Sequence, residues 1–339
     1  MGRIGRVWSA VLTILCSCST YEETSEEQIC RTDITISING LETKASDPDE
    51  NKISELTLMI FDENGFLESR RSFDRWEIGG KTTLTYSINL LKGKKYNIYA
   101  CANIGLPVNA ETLEELRELQ FHLVYPDEYR EGIPMAAVKE VLITEECIVD
   151  IDLQRLMAKI SLRMDRSRLD RDVEMNVRSA RIGNCPRYAK PFTASKIEDN
   201  DDTFPTGYLL NDIQTAELNY NIGEGLSSEV SLYMLENMQG PADGNITHDS
   251  EKVFEQKDKR SEVCSYIEME IEYLSPEKAS GEKGLIYRFY LGEDRNSFDV
   301  ERNTHYHITV TPENDGLNDD GWRVDKSGLK DLGPAYLRA

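Results

Sequence analysis

The sequence lacks the features that mark several common classes of protein. It has no apolar run of about 20 residues, the length that a membrane-spanning helix needs. Basic residues are outnumbered, with 39 Lys and Arg against 61 Asp and Glu, and the formal net charge is −22. Nucleic acid would repel such a chain, so we exclude it as a partner. HExxH, GxSxG and GxGxxG motifs are absent, and no catalytic residue, metal ligand or cofactor is predicted.

Cysteine is also sparse. Apart from Cys16 and Cys18 near the N-terminus, five widely spaced cysteines remain: Cys30, Cys101, Cys147, Cys185 and Cys264. An odd number without CxxC spacing indicates neither a disulfide framework nor a zinc site, and whether any of them pair stays open. Cys101, Cys147 and Cys264 are predicted to be small core residues in strands.

The N-terminus has the pattern of an export signal. Arg3 and Arg6 precede a short apolar run at residues 7–15, and an acidic, Ser/Thr-rich segment follows at residues 19–27. A cysteine directly after Leu-x-Ser resembles a bacterial lipobox, in which Cys18 is lipidated and becomes the mature N-terminus. We therefore predict a signal peptide at residues 1–17 and a tether at residues 18–31. An ordinary signal peptide with incidental cysteines is the alternative.

Alternation of apolar and polar residues predicts strands through the first half of the chain. Ile34, Ile36 and Ile38 indicate a first strand at residues 32–41 with one buried face. An exposed, acidic loop follows at residues 44–50. The run at residues 53–61 ends in Asn64-Gly65, which favours a hairpin with a type I′ turn. Residues 111–119 have the leucine spacing of a short helix.

A second alternating series starts at Ile160, and it predicts a second domain. Its clearest strand alternates Ile267, Met269 and Ile271 with Glu268, Glu270 and Glu272, so a carboxylate row is expected on the solvent face. The sequence thus predicts a mainly β fold of two β-sandwich (transthyretin-like) domains in series, with a short helix in the first. The predicted domains cover residues 32–154 and 155–325, and a tail covers residues 326–339.

Two histidines are candidate metal ligands. His305 and His307 are two apart on a predicted strand, so they share a face. A zinc site needs a third ligand, and His122 and His248 fall in unrelated segments. Ordinary packing is therefore predicted for the pair, and no metal site.

Four stretches carry a family resemblance. In chain order they are residues 34–38 with Lys44-Ala45 and residues 53–62; residues 153–160, with Leu-x-Arg-x-x-Ala-Lys-Ile; residues 232–240, with Tyr-x-x-Glu-Asn-x-Gln-Gly; and residues 287–292 with 300–306, with Arg-Asn-x-x-Tyr. Together, behind a lipobox, they resemble the fimbrillin superfamily of Bacteroides-type bacteria, the lipoprotein precursors of type V fimbriae.

The resemblance implies a non-enzymatic structural or tip subunit that contributes to adhesion. A lipid, here palmitate on Cys18, attaches such precursors to the outer membrane. A trypsin-like protease then removes the lipidated N-terminal segment together with the first strand. The cut is expected between Lys44 and Ala45, where the best-known members have arginine. A cut after the alternative residue, Arg31, would leave the first strand in place. The opened groove would receive a strand from another fimbrial subunit, and a host or bacterial surface ligand is a further expected partner.

Two other functions stay open. If the lipid is permanent, the protein is a fimbrial anchor subunit or a glycan-binding surface lipoprotein. Glycan binding needs an exposed aromatic platform, for which the mature chain offers only Trp76 and Trp322 among its tryptophans. A secreted β-sandwich hydrolase is the third hypothesis, since paired carboxylates leave no sequence motif.

Overall fold

The computed structural model describes residues 28–38, 50, 52–79, 81, 83–105, 108–123, 132–199, 201, 203, 225–227, 229–247, 251–254, 258–275, 283–317 and 336–338. Strands dominate these residues, so the predicted mainly β fold is confirmed.

Among the residues that the structure describes, the first half of the chain has eight strands. They are β1 Ile29–Ile38, β2 Leu56–Phe61, β3 Leu67–Phe73, β4 Thr83–Leu91, β5 Lys95–Ala102, β6 Phe121–His122, β7 Met135–Leu142 and β8 Cys147–Arg155. Seven of them form one sheet in the order β3-β2-β5-β7-β8-β1-β4. Only two residue pairs, Met135–Arg155 and Ala136–Gln154, join β7 to β8. The sheet therefore divides there into two layers, β4-β1-β8 and β3-β2-β5-β7, which share one apolar core.

The second half contributes eight further strands. They are β9 Met157–Met164, β10 Glu174–Gly183, β11 Tyr188–Ala189, β12 Val230–Leu235, β13 Tyr266–Leu274, β14 Lys283–Tyr290, β15 His305–Val310 and β16 Tyr336–Arg338. Their two layers have the orders β10-β13-β14 and β12-β9-β15-β16. The short strand β11 instead pairs with β6 of the first half, with Tyr188 opposite His122.

The two halves share one topology. β1 lies between β4, to which it is antiparallel, and β8, to which it is parallel. β9 lies in the same way between antiparallel β12 and parallel β15. The opposite layers, β2-β5-β7 and β10-β13-β14, also correspond. Each half is thus a β-sandwich built from the same strand order. Leu156 alone separates β8 from β9, and the predicted boundary at residues 154/155 stays a prediction.

The hairpin of β2 and β3 is confirmed, but its turn differs from the predicted one. A type I′ turn needs positive φ at both central residues. Gly65 has φ 83°, whereas Asn64 is not in the left-handed region. The Asp62 carboxylate accepts hydrogen bonds from the N–H groups of Asn64 (2.9 Å) and Phe66 (2.8 Å). These bonds hold a turn with a single left-handed residue, so the type I′ assignment is wrong.

Two short α-helices lie in the first half, α1 at Arg75–Ile78 and α2 at Leu113–Arg117. α2 falls inside the helix predicted at residues 111–119, and its N-cap Thr112 accepts a hydrogen bond from the Glu115 N–H at 3.2 Å. α1 was not predicted. Its capping box of Asp74 and Glu77 is the local signal that could have revealed it.

β13 corrects the prediction of a solvent-facing carboxylate row. Its apolar positions are buried as expected and Glu270 is exposed, but Glu268 is only 5% exposed. The Glu268 carboxylate accepts hydrogen bonds from Arg181 Nε on β10 (2.8 Å) and from Arg288 Nη2 on β14 (2.5 Å). Arginines on both neighbouring strands therefore cover this carboxylate, and the predicted row is wrong at Glu268.

All five described cysteines are free thiols: Cys30, Cys101, Cys147, Cys185 and Cys264. Cys101 is buried in β5 as predicted. Cys264 is buried but lies two residues before β13, and Cys147 begins β8 but is only half-buried. Burial raises the pKa of Cys101, Cys185 and Cys264 to about 12, which keeps these three thiols protonated.

Candidate functional site

The first strand of the chain lies inside a sheet. β1 pairs with β4 over residues 29–37 and with β8 over residues 32–38. It begins at Ile29, three residues before the predicted start and within the predicted tether. Because β1 separates β4 from β8, its loss would leave each of these strands with an unpaired edge.

The inward face of β1 is almost completely buried. Cys30, Thr32, Ile34 and Ile36 are 6%, 0%, 0% and 1% exposed. Burial of each isoleucine stabilises the docked strand by about 1.5–3 kcal/mol. The buried alternation confirms the predicted inward face at Ile34 and Ile36.

Thr32 is a weak point on this face. Its Oγ1 is buried and has no hydrogen-bond partner in the part of the chain that the structure describes. A buried polar group without a partner costs about 1–3 kcal/mol. The apolar residues of β1 stabilise its docking, and the unpartnered hydroxyl of Thr32 reduces that stabilisation.

Polar side chains on the outward face of β1 form hydrogen bonds. The Asp33 carboxylate accepts hydrogen bonds from Ser87 Oγ of β4 (2.5 Å) and from Arg31 Nε (3.3 Å). The bond from Ser87 is the largest cause of the lowered pKa of Asp33. Ser37 Oγ donates to Asp152 on β8 at 2.8 Å. These contacts are exposed and contribute little to stability, although they join β1 to both neighbouring strands, β4 and β8.

The predicted processing residues lie outside the described residues. This holds for the lipidation site Cys18 and for Lys44 and Ala45 at the candidate cut, so all three stay predictions. Arg31, the alternative cleavage residue, lies within β1 opposite Asn89 of β4. A protease needs extended backbone that is free of pairing, so the docked strand disfavours a cut after Arg31.

Glu50 begins the described chain after the loop, and it is 3% exposed. Its carboxylate accepts a hydrogen bond from Lys159 Nζ on β9 at 2.5 Å and another from the Tyr233 hydroxyl on β12. Its backbone carbonyl accepts a hydrogen bond from Arg155 Nε at 3.0 Å. Burial lowers the pKa of Arg155, and the charge of Glu50 opposes that effect. The prediction of an exposed loop at residues 44–50 is therefore wrong at Glu50, because partners 105 to 183 residues away cover its side chain.

Arg302 holds a loop of the second half that packs on the first half. Its guanidinium donates to Glu236 Oε2 at 2.6 Å and to the carbonyl of Thr193 at 2.8 Å. The loop that it holds carries Phe192, whose ring packs edge-on against Tyr99 of β5 at a centroid distance of 5.0 Å. Arg302 therefore positions a second-domain loop on the first domain.

The sequence motifs meet at this junction. Arg155 and Lys159 belong to the motif at residues 153–160. Tyr233 and Glu236 belong to the motif at residues 232–240, and Arg302 belongs to the motif at residues 300–306. Asn303 of the last motif also accepts a hydrogen bond from the Arg155 N–H at 3.3 Å. Arg155, Lys159, Tyr233 and Asn303 thus make contacts between the two halves, whereas Glu236 and Arg302 bind each other within the second half.

The histidine pair is packed within the second domain. The rings of His305 and His307 are 3.8 Å apart, and His305 Nε2 lies 2.8 Å from Ser161 Oγ. Burial, with help from the neighbouring charges of His307 and Lys159, lowers the pKa of His305 to about 4. Among the described residues no cluster of three metal-ligating side chains is found.

Few aromatic side chains are exposed among the described residues. A cleft of ≈ 510 Å³ opens beside β7 and β8, and its lining includes Phe192 and Arg302. Phe192 is already packed against Tyr99. Trp76 on α1 is 88% exposed, and Trp322 lies outside the described residues. The described chain therefore shows one exposed tryptophan rather than an aromatic platform.

Two family models match parts of the chain. Residues 33–146 match the major fimbrial subunit protein (FimA), and residues 232–310 match a domain of unknown function (DUF4906). A comparison with curated proteins gave no match by sequence.

Solved structures share the fold over most of the chain. A candidate cell adhesion protein from Bacteroides eggerthii has 14% identity and a TM-score of 0.59, covering 91% of this chain and 94% of its own. The tip fimbrial protein Mfa3 from Porphyromonas gingivalis, with a C-terminal truncation, has 14% identity and a TM-score of 0.54, covering 91% and 99%. A fimbrilin from the same organism has 14% identity and a TM-score of 0.55, covering 85% and 91%. The match at residues 33–146 and this shared fold confirm the resemblance to the fimbrillin superfamily.

Proposed function

We propose that the protein is a non-enzymatic structural or tip subunit of a type V fimbrium and contributes to adhesion. The position of β1 carries this proposal. The first strand lies between β4 and β8, and the chain from its end at Ile38 to Glu50 contains Lys44. One cut in that segment would detach the strand from the rest of the chain. The FimA match and the fold shared with a tip fimbrial protein support the same role.

In this function the groove left by β1 accepts a strand from a neighbouring subunit. Loss of β1 uncovers the positions of Ile34 and Ile36 and frees one edge each of β4 and β8. Uncovering the two isoleucine positions costs roughly 3–6 kcal/mol. An apolar groove between two free strand edges is a strong template for an incoming strand, which recovers that cost.

We further propose export as a lipoprotein, with lipid on Cys18 holding the uncut protein at the outer membrane. After a trypsin-like protease cuts between Lys44 and Ala45, the protein joins the fimbrium at the cell surface. The basic start, short apolar run and lipobox of residues 1–18 support this route. Among the residues that the structure describes, no helix is long and apolar enough to cross a membrane.

The test is the N-terminal sequence and lipid state of the protein recovered from cell surfaces. A polymerising subunit is expected to start at Ala45 without lipid. Lys44→Gln should keep the lipidated lead, and Cys18→Ala should lose both the lipid and the outer-membrane location. A wild-type chain that still starts at lipidated Cys18 would overturn the proposed processing. It would favour an anchor subunit or a glycan-binding lipoprotein instead.

A further inference from the structure

We propose that Glu50 is a latch between the two domains. It fixes the chain that follows the loop to the second domain, so that release of β1 stops at this residue and leaves the domains aligned. The latch consists of Glu50 and its three partners, Arg155, Lys159 and Tyr233.

The contacts of Glu50 reach both domains at once. Its carboxylate binds Lys159 and Tyr233, which lie on the adjacent strands β9 and β12 of the second domain. Its backbone carbonyl binds Arg155, the last residue of β8 in the first domain. The exposed fractions of the four residues range from 1% to 5%, so water does not compete for these bonds.

Glu50 lies between β1 and β2 in the chain. β1 ends at Ile38 and β2 begins at Leu56, so the covalent connection between them passes through Glu50. A chain cut after Lys44 would have its new N-terminus shortly before this residue. Fraying from that end would reach Glu50 before it could reach β2.

Charge explains why fraying stops there. Moving Glu50 away would leave Lys159, with a side chain 6% exposed, as a buried ammonium without its carboxylate. Breaking a buried ion pair by removal of one partner is strongly unfavourable. The latch itself is a feature of the uncut chain, and only its bearing on strand exchange rests on the proposed function.

Hydrogen exchange of the full-length chain tests the latch. Glu50→Gln removes the charge at constant shape, and Glu140→Gln is the matched control, because Glu140 pairs with Lys95 in an exposed contact of 3.2 Å. A recognition site for a specific protease, placed at residues 42–47, allows the loop to be cut. Exchange is followed by mass spectrometry in peptides that cover β1, β2, β4, β9 and β12, before and after the cut.

Glu50→Gln is expected to speed exchange at the junction ends of β9 and β12 about a hundredfold in the uncut chain. After the cut, the faster exchange should spread into β2, while Glu140→Gln should match the wild type throughout. If Glu50→Gln does not fold, the double variant Glu50→Gln, Lys159→Met leaves no unpaired buried charge; its junction should exchange faster than that of Glu140→Gln, by less than a hundredfold.

Junction exchange in Glu50→Gln equal to that in Glu140→Gln would overturn the latch. Failure of the proposed function has a different signature, since β1 and β4 would then stay protected after the cut even in the wild-type chain.

Discussion

At the residue scale, Thr32 makes the docked first strand weaker than it could be. Thr32→Val keeps the shape and removes the buried hydroxyl that has no partner. We expect the free energy of unfolding to rise by about 1–3 kcal/mol, because the desolvation cost of that hydroxyl disappears. Chemical denaturation measures the change, and Thr35→Val on the outward face of β1 is the control. A Thr32→Val variant no more stable than the wild type would show that the hydroxyl is satisfied in solution.

Glu268 should make stability depend on pH. Burial raises the pKa of its carboxyl, but hydrogen bonds from Arg288 and Arg181 outweigh burial, and the pKa lies below its ordinary value of 4.5. A carboxyl with a depressed folded-state pKa stabilises the protein above its unfolded pKa, and this contribution is lost as pH falls through the folded value. Glu268→Gln should cost about 1–3 kcal/mol at neutral pH, since both arginines are partly exposed.

The measurement for Glu268 is urea denaturation at a series of pH values from about 7 to about 3. Glu268→Gln should lose less stability than the wild type over the acid part of this range. Glu270→Gln, on the same strand but exposed, should follow the wild type. Parallel curves for the wild type and Glu268→Gln would rule out the proposed pH dependence.

At the element scale, β1 should stabilise the uncut chain. Deleting residues 32–41 removes two ladders and the buried Ile34 and Ile36. The free energy of unfolding should fall by roughly 3–6 kcal/mol from the lost apolar burial alone, with a lower Tm. Thermal unfolding measures the loss, and the variant Thr35→Ala, Ser37→Ala controls for changes on the outward face. An unchanged Tm would contradict the role of β1 as a core strand.

Individual elements differed in how well the sequence predicted them. The β2–β3 hairpin and α2 were predicted correctly, because periodicity and capping residues act over a few neighbours. The turn of the hairpin was wrong in type, because the Asp62 carboxylate captures two N–H groups that a type I′ turn would arrange differently. α1 was missed because four residues are too short to show helical periodicity.

At the scale of the whole molecule, two sandwiches of one topology meet at a polar junction. The β6–β11 ladder, the Glu50 contacts and the ring contact between Phe192 and Tyr99 all cross it. In each half the first strand is inserted beside the last large strand, β1 beside β8 and β9 beside β15. The two first strands differ in their connections: β9 follows β8 after the single residue Leu156, whereas residues 39–55 separate β1 from β2.

Sequence patterns alone predict the mainly β class, the inward face of β1, the helix α2 and the family resemblance. These features depend on alternation, spacing and short motifs, which are local. Only the tertiary structure decided that β1 lies between β4 and β8, that Glu268 is buried between two arginines, and that Glu50 meets Lys159, 109 residues away. Alternation shows that a strand has a buried face, but the choice of its neighbours follows from packing of the whole chain.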